Sequence, residues 1–203
     1  MSKVIGIVAV LMASVLILLS VPVIFLHVTA SIPEEMADKT VCFLAPELIW
    51  SDKMSAVTKC FGEPVESGIY NDITGTKENT YETKYENREM EVKAERNTFP
   101  YPTSIFNYCF YIQCADAGDT QKVFDKCFNQ IVEDNYHEEN FSYETVNIGD
   151  GAIIVDNDGE KNEVHEITND EIWFSINYGA TGIHYELSQT NDYRVILRAY
   201  CIA

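Results

Sequence analysis

Residues 4–30 carry no charged side chain, and residues 5–19 are apolar on every side of a helical projection. A helix packed on a soluble core keeps a polar face, so this stretch predicts a transmembrane helix. At 1.5 Å per residue it would reach about 40 Å, longer than a bilayer core. Residues 31–41 are mixed and polar, with Pro33 near their start, and predict a tether. Folded patterning is expected over residues 42–203.

Pro46 opens a stretch in which Met54, Val57 and Phe61 recur at helical spacing, and Gly62 with Pro64 supplies the stop. In residues 67–96, Tyr81, Thr83 and Tyr85 share one parity, and Met90, Val92 and Ala94 another, which predicts a hairpin turning near Asn87. Residues 105–114 are dense in aromatic and β-forming side chains, with Tyr108, Phe110, Ile112 and Cys114 on one face of a central strand. A second helix, capped by Asp119 or Thr120, places Phe124, Cys127, Phe128 and Ile131 on one stripe. Strands over 140–148, 152–156, 163–168, 171–177, 183–188 and 193–202 then read as an antiparallel meander separated by Gly, Asn and Asp turns. Val195, Leu197, Ala199 and Cys201 alternate with Arg194, Arg198 and Tyr200, implying one buried face in the last strand.

The expected fold class is α+β: an N-terminal transmembrane helix over residues 1–30, followed by an antiparallel, largely meander sheet packed by two helices. Lys3 precedes the apolar run, while Glu34, Glu35 and Asp38 follow it. By the positive-inside rule the N-terminus is then cytoplasmic and residues 42–203 form an extracytoplasmic acidic domain. Small residues at Val28, Thr29 and Ala30 offer a signal-peptidase site, so a secreted domain cut after Ala30 is the alternative. The length of the apolar run favours an uncleaved signal anchor.

Composition adds two constraints. Hydrophobic residues at 46% and aromatics at 12% suit a folded core rather than a disordered chain. The net charge of −18, with 14 basic against 32 acidic side chains, excludes nucleic acid as an expected partner, because phosphate binding needs a basic stripe.

Six cysteines, Cys42, Cys60, Cys109, Cys114, Cys127 and Cys201, permit three disulfides in an exported domain or a set of buried thiols. In a continuous strand Cys109 and Cys114 point to opposite faces, too far apart to bond each other. No CxxC or short Cys-His pair supplies zinc half-sites. The histidines of the domain, His137, His165 and His184, sit in no HExxH or comparable motif, and GxSxG, SxxK and phosphate-binding glycine loops are missing. No catalytic, cofactor-binding or metal-ligating residue is therefore assigned, and no cofactor is expected.

The function read from these patterns is a single-pass membrane protein, held in the membrane through residues 4–30. Its exported, non-enzymatic domain binds or supports another envelope or surface protein. A secreted acidic inhibitor or ligand-binding protein is one alternative. An extracytoplasmic hydrolase built from His165, His184 and acids is the other.

Overall fold

The computed structural model describes residue 32 and residues 34–71, 76–97, 105–146, 153–158, 161–166, 171–179 and 181–202. The hairpin at the centre of the first half shows how local sequence sets register. Strand β2 (Thr76–Tyr85) pairs with β3 (Arg88–Asn97) through a two-residue turn, in which Glu86 and Asn87 have φ of 48° and 68°. Two successive left-handed residues match the right-handed twist of the flanking strands, and Asn tolerates that conformation well. Tyr81 therefore lies opposite Val92 and Thr83 opposite Met90, and Tyr81, Met90, Val92 and Ala94 share the buried face. Strand β1 (Glu66–Asn71) joins the edge through a bulge at Gly68, whose φ of 83° suits glycine.

Strand β4 (Ile105–Gln113) follows β3, and helix α3 (Ala117–Asn135) then carries the chain to the far edge of the sheet. There β5 (Phe141–Val146) pairs with β8 (Glu171–Tyr178), β8 with β9 (Thr181–Gln189), and β9 with β10 (Arg194–Ile202), which closes onto β4. The order β1-β2-β3-β4-β10-β9-β8-β5 makes one eight-stranded antiparallel sheet, and β6 (Ile153–Asp158) with β7 (Lys161–Glu166) forms a separate pair.

The expected architecture is corrected on several points. The structure is mostly an eight-stranded antiparallel sheet with few helices, rather than an α+β layer under a meander. The meander is broken because β10 seats between β9 and β4, and because β6 and β7 leave the main sheet. Residues 4–30, expected to be a transmembrane signal anchor, lie outside the described residues. Among the described residues no helix is long and apolar enough to cross a membrane. The longest, α3, bears Asp119, Lys122, Asp125, Lys126, Glu133 and Asp134, each costly in hydrocarbon. Among the described residues the expected transmembrane element therefore has no support.

The tether expected at 31–41 is also corrected. Residues from Ile32 onward belong to one compact unit; α1 (Glu34–Ala37) buries Met36 completely, and Val41 is fully buried. Nor does Pro46 open a helix. Thr40 bridges Ile49, Val41 N donates to Leu48 O at 2.9 Å, and the first long helix, α2 (Met54–Phe61), starts later. It ends at Gly62, with φ of 92°, whose N–H donates to Thr58 O.

The core lies between one sheet face and these helices. Under α2, Phe61 packs on Tyr81 and Phe110, and Trp50 meets Tyr108 edge-on. Val123, Phe124, Cys127 and Ile131 of α3 are buried, and α3 contacts β9 and β10. Each large apolar side chain so buried contributes roughly 1.5–3 kcal/mol of transfer free energy. That stripe is what holds the helix down.

Candidate functional site

All six cysteines are free, and Cys42, Cys114, Cys127 and Cys201 are buried. Burial pushes the thiols of Cys42, Cys127 and Cys201 up to about 12, which keeps them protonated and poor nucleophiles at neutral pH. Cysteine catalysis therefore has no activated thiol among these three.

The histidines are scattered. His137 is exposed at the end of α3, with its ring edge-on to Tyr136. His165 pairs with Ile154 on β7, and its side chain lies outside the described residues. His184 is half-buried on the sheet face opposite the helices, stacked on Tyr200 at 5.4 Å, and its Nδ1 is 3.0 Å from Ser175 Oγ. Burial lowers the pKa of His184, against the opposing pull of Glu186, and so favours the neutral imidazole beside the serine. The neighbouring carboxylate, Glu186, accepts from Tyr200 Oη at 2.8 Å and Arg198 Nη1 at 3.3 Å. It is committed to those groups rather than orienting the imidazole, which leaves a cross-strand polar network instead of a relay. Among the described residues no three His, Cys, Asp or Glu side chains converge as metal ligands.

The feature best formed to receive another molecule is a cleft of about 730 Å³ beside α3. Three parts of the chain build it. The strap of residues 38–46 supplies one wall with Asp38, Lys39, Thr40, Cys42, Phe43 and Pro46. It is held by Tyr185 Oη, which donates to Val41 O at 3.1 Å, and by Trp50 N, which donates to Lys39 O at 3.0 Å. The other wall is α3, where Lys126, Gln130, Ile131, Asp134 and Asn135 line the cleft, followed by Glu138. Their spacing of about one turn places them along one side of the helix. Ile176 of β8, Ile183 and Tyr185 of β9 add apolar lining from the sheet, and Tyr85 lines the cleft at the end of β2.

Two ion pairs fasten this arrangement. Lys39 Nζ donates to Glu138 Oε1 at 2.5 Å and lies 5.6 Å from the Tyr178 ring centre. Burial lowers the pKa of Lys39, but the bonds to Glu138 and Tyr178 outweigh that effect and leave it raised. Lys126 pairs with Glu86 and sits 5.5 Å over Tyr85. The hydrogen bond to Glu86 is the main reason its pKa is raised. Between strap and turn, Phe43 meets Tyr85 edge-on at 6.4 Å.

A smaller cleft, about 400 Å³, lies over β2, β3 and β4. Apart from Met90 and Tyr111, its lining is polar or charged, with Glu82, Lys84, Glu89, Glu91 and Arg194 contributing most of the charge. Its volume is little more than half that of the cleft beside α3.

None of the strap-side lining was legible as a site in the sequence, because residues 38–41 read as tether and no motif spans the cleft. The one signal present was Lys126, Gln130 and Asp134 at i, i+4 and i+8, a polar edge beside the buried stripe. No protein-family profile, curated protein or solved structure matches the chain.

Proposed function

We propose that the unit beginning at Ile32 is a non-enzymatic binding domain, and that its ligand seats between the 38–46 strap and α3. The observation that carries this reading is the cleft of about 730 Å³, where Phe43, Pro46 and Tyr85 present accessible apolar surface above the buried Ile131, Ile176, Ile183 and Tyr185, and Asp38, Asp134 and Asn135 are among its polar groups. Ligand sites have this construction: an apolar interior of roughly 300–1,000 Å³ with a few polar groups that fix orientation. The free, high-pKa thiols and the committed Glu186 support binding over catalysis.

The test fills the cleft without touching the core. Gln130 is half-buried on the cleft side of α3, and among the described residues its side chain donates to Asp134 Oδ1 at 2.9 Å, one turn on. Gln130→Trp should leave the melting curve of the free chain nearly unchanged, since such a helical pair contributes about 0.2–0.5 kcal/mol. A library of short peptides and metabolite-sized compounds is screened by thermal shift. A true ligand at 100 times its Kd stabilises the wild type by about 2.7 kcal/mol, roughly 5–10 °C, and leaves Gln130→Trp unshifted. Equal shifts in both proteins, or none in either, would remove the cleft as the binding site.

A further inference from the structure

We infer that the cleft accepts a short extended peptide segment in which apolar side chains alternate with lysine or arginine. This inference rests on the reading of the cleft as a ligand site and specifies its ligand.

Charge is the first argument. Both lysines that line the cleft already have carboxylate partners, Lys39 with Glu138 and Lys126 with Glu86. Among the described residues neither Asp38 nor Asp134 forms an ion pair, and Asp134 accepts the Gln130 side-chain amide at 2.9 Å. A ligand base therefore finds two acceptors ready, whereas a ligand carboxylate meets two unpaired negative charges and must compete with existing pairs for either lysine. The net charge of −18 steers cations toward the molecule as a whole.

Shape is the second. The α3 lining runs from Lys126 to Asn135, about 13 Å at 1.5 Å per residue. An extended segment of about four residues covers that length at 3.3 Å each. Successive side chains of an extended chain point to opposite sides. A segment lying along the cleft thus offers one set to the accessible apolar lining of Phe43, Pro46 and Tyr85 and the other to the acids, which calls for alternation.

The experiment measures fluorescence anisotropy with the full chain and three fluorescein-labelled pentapeptides, alternating leucine with lysine, with serine or with glutamate. The lysine peptide should bind saturably and most tightly. Asp38→Asn and Asp134→Asn should each weaken it on the order of fivefold, without altering the serine peptide. Asp134→Lys should shift preference toward the glutamate peptide. Equal binding of lysine and glutamate peptides, or indifference to all three substitutions, overturns the basic-ligand inference. If the serine peptide then still binds and Gln130→Trp abolishes it, the cleft survives as a ligand site of another class. If no peptide binds and a compound screen finds no ligand sensitive to Gln130→Trp, both readings fall.

Discussion

At the scale of single residues, environment rather than residue type decides what the chemistry-bearing side chains can do. Cys42, Cys127 and Cys201 are thiols whose charged form would lose its hydration, so burial holds them near 12. Cys60 and Cys109 are half-buried. Iodoacetamide at neutral pH should therefore label Cys60 and Cys109 first. In denaturant without reductant, intact mass should rise by six adducts; fewer than six would reveal a disulfide and refute the all-thiol structure. Asp119 illustrates the opposite shift. The Arg88 guanidinium bonds both its oxygens, at 2.7 and 3.0 Å, and holds it at about 2. A depressed carboxyl stabilises the fold above its unfolded pKa of about 4, and that contribution is lost as pH falls toward 2.

At the scale of elements, α3 bridges the two halves of the sheet, and its first turn determines where it starts. Asp116, not Asp119 or Thr120, is the cap: its Oδ1 accepts from Asp119 N at 2.9 Å, while Thr120 N donates to Asp116 O. The expectation slipped by one turn because Asp119 follows the same preference for helix starts, whereas its own N–H is taken by Asp116 Oδ1 and its carboxylate is engaged by Arg88. Asp116→Ala should cost about 1 kcal/mol and lower Tm by roughly 2–4 °C, measured by thermal melting at neutral pH. An unchanged Tm would show that the cap carries no stability. The β2–β3 turn was legible for a complementary reason. Asn87 at the break in alternation marks a left-handed position that depends on neighbours in sequence alone.

At the scale of the whole molecule, charge and topology matter most. With 32 acidic against 14 basic side chains, compaction brings like charges together, and screening relieves that repulsion. Raising sodium chloride from about 20 to 300 mM should increase Tm by a few degrees; a fall would mean that the ion pairs Lys39–Glu138 and Arg88–Asp119 outweigh the general repulsion. Local pattern by itself marked the strands from β2 to β10, though not β1 as a strand apart from the hairpin, and it showed where α3 presents its apolar stripe and which face of β10 is buried. These follow from periods of 2 and 3.6 residues, which neighbours along the chain specify. Only tertiary structure decided that β10 closes onto β4, that β6 and β7 pair apart, and that a polar-looking strap buries Met36 and Val41 to wall a cleft. Those outcomes depend on contacts between residues far apart in sequence, such as Lys39 with Glu138 and Tyr185 with Val41. No local periodicity encodes which distant partner such a residue meets.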